Sequence, residues 1–178
     1  NPYTTEAGVA YSDPGATATD AVDGSVSVSN NSGSAVDINT PGTYTVTYTA
    51  ADATGNTTTV ERTVIVQDTT APAISLTGGA VTITAGTTYE DPGASATDIV
   101  DGNVNVTNNS DTAVDINTPG SYTVTYTATD VAGNTTTAQR TVIVNPPDDN
   151  TPPVITLQGL NPYTTEAGVA YSDPGATA

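Results

Sequence analysis

Residues 11–66 realign on residues 89–144 without a gap at an offset of 78, and about three quarters of the aligned positions are identical. Self-similarity at a fixed spacing makes each copy one structural unit, and it settles the architecture before local propensities are consulted. A longer period overlies the first, because NPYTTEAGVAYSDPGATA at residues 1–18 recurs letter for letter at residues 161–178, an offset of 160. The chain therefore reads as one two-copy unit plus the beginning of the next: repeat 1 over residues 1–68, repeat 2 over residues 69–147, and a linker with the first strands of a third repeat over residues 148–178. The linkers differ, since Gln67-Asp68-Thr69-Thr70-Ala71-Pro72 is short and the Pro- and Asp-rich segment 145–153 carries three additional residues.

Within a repeat, apolar residues alternate with Thr and Ser at period two, the pattern of half-buried strands, and no 3.6-residue stripe is present. In repeat 2 the pattern predicts strands over 73–77, 80–85, 88–97, 103–108, 113–116, 121–129 and 135–144, and no helix. Seven short strands in under eighty residues is the count and spacing of an immunoglobulin-like sandwich, so the expected fold class is all-β, a tandem of immunoglobulin-like β-sandwiches with about seven strands each. The clearest pair is 121–129 with 135–144, closed by Gly133-Asn134, with Tyr122, Val124, Tyr126 and Ala128 facing inward. Asn117-Thr118-Pro119-Gly120 before Tyr122 resembles the turn ahead of strand F in immunoglobulin domains, which gives Tyr44 and Tyr122 the tyrosine-corner role: a hydroxyl bonded back to the upstream backbone.

Composition removes whole classes of chemistry. Nineteen acidic residues stand against two basic ones, Arg62 and Arg140, for a net charge of −17. Nothing here displaces the counterions of nucleic acid or anionic lipid, and multivalent cations are the natural partners. No apolar run approaches the roughly eighteen residues that cross a membrane. Cys, His and Lys are absent, which excludes disulfides, soft-metal sites and a Lys–Asn isopeptide crosslink.

The segments DPGATATDAVDG and DPGASATDIVDG, NTPGTYTVTYTAADATGN and NTPGSYTVTYTATDVAGN, and the closing RTVIV resemble bacterial Ig-like repeats of the hyalin-repeat and PKD-like group. The likeness covers essentially every residue. It implies an extracellular, cell-surface stalk or spacer in a repetitive adhesin or filament, with neighbouring identical repeats as partners and any cell-surface or glycan ligand elsewhere in the parent.

The acidic positions recur with the repeat: Asp13, Asp20, Asp23, Asp37 and Asp52 correspond to Asp91, Asp98, Asp101, Asp115 and Asp130. In a sandwich of this topology, the loop holding Asp98 and Asp101 and the hairpin holding Asp130 lie at the end where the chain enters, and Asp68 of the short linker arrives there. Four carboxylates converging in this way suit calcium, which takes six to eight hard oxygen ligands. Asp20, Asp23 and Asp52 form the same set in repeat 1 and await a preceding linker, while Asp148 and Asp149 would serve a domain whose matching loop lies beyond Ala178. The competing reading is turn capping, because Asp ahead of Gly or Asn bonds its own backbone. Arg62 and Arg140 are expected to form exposed structural ion pairs of little worth with Asp13 or Asp91. Asn30, Asn56, Asn108 and Asn134 match the N-glycosylation pattern, which chance alone supplies in so Thr-rich a chain.

Without His, Cys or Lys, an enzyme would need paired carboxylates in a water-excluding pocket, and a site duplicated in turns suits structure better than catalysis. A carbohydrate-binding module is the rival; it would require Tyr3 and Tyr11 to form a coplanar, solvent-facing platform. A third reading rests on Val154-Ile155-Thr156-Leu157-Gln158, the counterpart of 73–77, a strand that repeat 1 lacks. It fits a window of a continuous array, which is preferred, or a subunit whose C-terminal strand completes the next one.

Overall fold

The computed structural model describes residues 2–159, 162 and 164–177. It forms two compact units, Asn1–Asn145 and Pro146–Ala178, and the first holds both repeats. Repeat 1 contains β1 (Tyr3–Glu6), β2 (Ala18–Asp20), β3 (Gly24–Val26), β4 (Val28–Asn30), α1 (Ser32–Ala35), β5 (Gly42–Ala51) and β6 (Thr57–Gln67). Repeat 2 contains β7 (Ala73–Leu76), β8 (Val81–Thr84), β9 (Ala94–Asp98), β10 (Gly102–Val104), β11 (Val106–Asn108), α2 (Ser110–Ala113), β12 (Gly120–Thr129) and β13 (Thr135–Asn145). The second unit contributes β14 (Thr156–Leu157) and β15 (Ala176–Thr177), an antiparallel pair.

Each repeat is an immunoglobulin-like sandwich. In repeat 2 one sheet runs β11-β12-β13-β8 and the other β10-β9-β7; β8 joins β13 in parallel and every other neighbour is antiparallel. Repeat 1 matches with β4-β5-β6-β1 and β2-β3, without a counterpart of β7 among the described residues. The period-two pattern explains the core. Along β12 the inward residues Val124, Tyr126 and Ala128 are buried and their Thr neighbours are not. Val142 from β13 joins Val124 and Tyr126, and Ile74, Leu76, Tyr89, Val106, Val114 and Tyr122 pack around them. Repeat 1 builds the same centre from Val46, Tyr48 and Val64. Both tyrosine corners form: Tyr44 donates to the Thr40 carbonyl and Tyr122 to the Thr118 carbonyl, each at 2.7 Å.

Four local expectations fail. The chain is not helix-free, because α1 and α2 each make a single turn; Asn30 Oδ1 accepts from the Ser32 amide (3.0 Å) and Asn108 Oδ1 from the Ser110 amide (2.9 Å), which curls the backbone locally. The strand expected over 113–116 is accordingly absent: Ala113 closes α2, and Val114, though extended (φ −109°, ψ 112°), lies outside any strand and packs on the core. The strand expected over 88–97 starts only at Ala94, because Pro92 lacks an N–H and Gly93 takes φ +82°. The segment 103–108 divides at Asn105, so that β10 and β11 serve opposite sheets.

Candidate metal centre at the junction of the repeats

Asp98 closes β9, and its Oδ1 accepts the amides of Val100 (2.7 Å) and Asp101 (3.1 Å), which fixes the β9–β10 turn. Asp101 reaches across to the β12–β13 hairpin, where its Oδ2 accepts the Val131 amide at 2.8 Å. In that hairpin Asp130, only 7% exposed, accepts the Asn134 amide through Oδ1 (2.7 Å) and the Asn134 side chain through Oδ2 (2.9 Å). The same Asn134 side chain donates to the Asp68 carbonyl (3.2 Å), tying the linker to the hairpin.

These bonds bring three of the four carboxylates expected from the sequence into one cluster, with Asp98 at the neighbouring turn. Oxygens of Asp68, Asp101 and Asp130 lie within 4.8 Å of one another. Asp98 Oδ2 is buried without a hydrogen-bond partner. The Asp68 carboxyl is pushed above the ordinary carboxylate range, first by desolvation and then by the charges of Asp98, Asp130 and Asp101, which outweigh the amide of Thr70. Turn capping and convergence are therefore compatible: Asp98 spends one oxygen on the turn and leaves the other buried and orphaned, a costly arrangement unless a donor or a cation meets it. The donor set is all oxygen and anionic, the hard-cation type, and a calcium ion with ligands at 2.3–2.6 Å holds oxygens about 5 Å apart or closer.

Repeat 1 holds the same turn and hairpin skeleton. Asp20 Oδ1 accepts the Val22 and Asp23 amides, and Asp23 Oδ2 accepts the Ala53 amide. Asp52 accepts from Asn56 and Thr54, and the Asn56 side chain, foremost, holds the Asp52 carboxyl down at about 2. Asp148 and Asp149 belong to the second unit; Asp149 Oδ1 accepts the Thr151 amide there. Asp37 and Asp115 only cap turns, each bonding a following amide and a Thr hydroxyl.

The arginines correct an expectation. They are not exposed. Arg140 is 2% exposed, its guanidinium lies over the Tyr126 ring (5.4 Å), pairs with Asp91 (3.4 Å) and donates to the Thr77 and Gly93 carbonyls. Arg62 pairs with Asp13 (2.7 Å), stacks on Tyr48 (4.9 Å) and donates to the Gly15 carbonyl. The partners Asp13 and Asp91 are the ones the sequence suggested; what it did not reveal is that the pairs would be drawn in under the tyrosine rings. Tyr3 and Tyr11 meet edge-on at 70° rather than lying coplanar, and Tyr11 packs against the core, so the platform a glycan-binding reading required does not form. Of the glycosylation candidates, Asn56 and Asn134 have their side-chain amides engaged with Asp52 and Asp130.

A family model described as "Bacterial surface protein, Ig-like domain" matches residues 1–66 and again residues 74–144. The chain belongs to that family. Its two bacterial surface Ig-like domains coincide with the two sandwiches described above. No curated protein matches the chain. Among solved structures, it is similar to the crystal structure of the lipoprotein BT2262 from Bacteroides thetaiotaomicron, at 26% identity and a TM-score of 0.34, over 46% of this chain and 40% of that one.

Proposed function

We propose that the chain is an extracellular structural spacer of a repetitive bacterial surface protein, and that calcium stiffens the junction between its repeats. The spacer role follows from what the surface Ig-like domains offer. Each repeat is a closed link whose exposed strand faces are Thr-rich and whose charge is strongly negative, which keeps neighbouring fibres apart. Nothing in its chemistry supports catalysis: the acidic side chains sit in turns, and the duplicated arrangement serves joints.

One observation carries the calcium reading: oxygens of Asp68, Asp101 and Asp130 converge from three separate segments at the linker, beside a buried Asp98 oxygen without a hydrogen-bond partner, and the Asp68 carboxyl is raised by desolvation and then by the charges of Asp98, Asp130 and Asp101. A folded protein gains by placing a cation there. Asp68, Asp98, Asp101 and Asp130 would hold it, and its charge would supply the attraction that the carboxylates lack among themselves. Calorimetric melting with and without calcium tests the reading. At a calcium concentration of about 100 times Kd, a single site adds about 2.7 kcal/mol to stability. The wild-type melting temperature should rise with calcium, Asp101→Asn should lose most of the rise, and identical curves in calcium and in chelator would sink the clamp.

A further inference from the structure

We infer that Glu6 of repeat 1 is a positioning residue for the carboxylate cluster of repeat 2: through Thr69 and Thr70 it seats Asp68, so that cation binding at the cluster and the grip of repeat 1 on the linker strengthen each other. The inference rests on the calcium reading and deepens it, because it makes the site a property of two repeats rather than one.

Residues 68–72 belong to no strand, so the path of the linker is set by what its ends and side chains touch. At its start Gln67 is paired with Glu6 across β1 and β6, and the Gln67 carbonyl accepts the Ala7 amide at 2.8 Å. At its far end Pro72 is fully buried and β7 begins. Between those anchors the Glu6 carboxylate takes hold of two consecutive residues. Its Oε1 accepts the Thr69 amide (2.7 Å) and the Thr70 hydroxyl (2.9 Å), and its Oε2 accepts the Thr69 hydroxyl (2.8 Å). Asp68 directly precedes them. Its carboxylate accepts the Thr70 amide at 3.3 Å, and its carbonyl accepts the Asn134 side chain at 3.2 Å. Repeat 1 and repeat 2 thus both grip the stretch Asp68-Thr69-Thr70.

Asp101 and Asp130 are held by bonds within repeat 2, to the Val131 amide and to Asn134. The Asp68 carboxylate has no bond to repeat 2 among the described residues, so its place within 4.8 Å of Asp101 and Asp130 depends on the linker backbone. Like charges that close repel, and the repulsion pushes Asp68 outward. A backbone rotation that carried it away would also move the Thr69 amide and both hydroxyls off Glu6, a set of three charge-assisted bonds. Glu6 therefore holds Asp68 in against the repulsion when no cation is bound. A cation turns the repulsion into attraction and takes that load off the Glu6 bonds. Two events that favour one linker conformation are linked, and each raises the affinity of the other by the same factor. Groups that orient a ligating carboxylate carry a large part of metal affinity for the same reason.

Calorimetric titration of the full chain with calcium chloride tests the inference on variants that keep every charge. Glu6→Asp is one methylene too short to hold both threonines, and Thr70→Val removes one of the hydroxyls. Each should weaken calcium binding at least about fivefold, the lower end of the range for coupled sites. Val28→Ala controls for mere loss of stability. Val28 packs on the core of repeat 1 and pairs with Ala50, which pairs with Thr58 at the start of β6, whereas the linker leaves the other end of that strand. That variant should bind calcium as the wild type does. Calcium should also slow hydrogen exchange of the wild-type Thr69 amide, which reports the Glu6 grip directly. A smaller loss in Glu6→Asp or Thr70→Val, a comparable loss in Val28→Ala, or Thr69 exchange indifferent to calcium overturns the inference and leaves the calcium reading standing. A wild type that binds no calcium removes the cation site itself, and the inference falls with it.

Discussion

Arg62 and Arg140 face Val46 and Val124 across the central strand pairs, positions where the period-two pattern calls for an apolar side chain. Each instead runs a guanidinium along a tyrosine ring to an aspartate at the start of the DPGA turn, so one cation secures the turn, the hairpin and, in repeat 2, the first strand. Replacing a buried pair outright is often neutral, whereas removing one partner leaves a desolvated charge and costs about 3–5 kcal/mol. Arg140→Met strands Asp91 and the Thr77 and Gly93 carbonyls, and should destabilise repeat 2 by about that amount in urea melts. Arg62→Met strands Asp13 in a wetter setting and should cost measurably less; equal losses would mean that the difference in burial carries no energetic weight. The tyrosine of the same cluster gives a second readout. Desolvation and the hydrogen bond to Asp13 push the Tyr48 hydroxyl up to about 12. A raised folded-state pKa means stability that is intact below the ordinary tyrosine value near 10 and lost as pH rises toward about 12. Ultraviolet titration should show the Tyr48 absorbance change arriving together with alkaline unfolding of repeat 1, and Asp13→Asn should bring it to lower pH.

At the scale of elements, the β9–β10 turn, the β12–β13 hairpin and the linker each hold their own backbone in place and meet through carboxylates and the Asn134 bond to the Asp68 carbonyl. Asp68 is the variable member, because the other three are fixed by bonds within repeat 2. Its raised pKa has a definite consequence without calcium: the stability it governs is present below the ordinary carboxylate value and is lost as pH climbs through the raised one. In chelator, Asp68→Asn should therefore raise the neutral-pH melting temperature and flatten its fall above about pH 4; with calcium the same substitution should lower it. A variant that melts below wild type in both conditions would show that Asp68 matters only for packing. The convergence was legible in the sequence because it follows from topology: once seven strands with a Tyr-Thr-Val-Thr-Tyr hairpin are recognised, the ends of the loops are placed. Single-turn geometry was not legible. Val114 and Ile116 alternate like a strand, but Asn108 and Asn109 bend the chain just before them, with Asn109 Oδ1 accepting the Thr125 amide in place of a ladder partner. The burial of the Arg140–Asp91 pair was equally hidden, since a DPG tripeptide signals a turn and says nothing of how deep its carboxylate lies.

For the molecule as a whole, the joint between the repeats has a clasp of its own beside the carboxylates. Glu6, at the end of β1, accepts the Thr69 amide (2.7 Å) and the hydroxyls of Thr69 (2.8 Å) and Thr70 (2.9 Å), so repeat 1 grips the linker directly. Ile99 of repeat 2 lies against Gly8, whose φ of +74° suits glycine and where an added Cβ would come within 2.8 Å of the Ile99 methyl. The position matching Glu6 in repeat 2 is Thr84, without a carboxylate, and that matching Ile99 in repeat 1 is Ala21, so the clasp is particular to the short linker. Tandem repeats gain cooperativity from such interface terms. The Thr69 amide above all lowers the Glu6 pKa, so the clasp holds above the ordinary glutamate value and loosens as pH falls through the lowered one. A double variant, Glu6→Gln with Ile99→Ala, keeps both sandwiches but should uncouple them. Amide relaxation in chelator, where the clasp acts alone, should show repeats 1 and 2 tumbling as one body in the wild type and on separate correlation times in the variant. Unchanged coupled tumbling would assign the rigidity of the joint to the linker backbone itself.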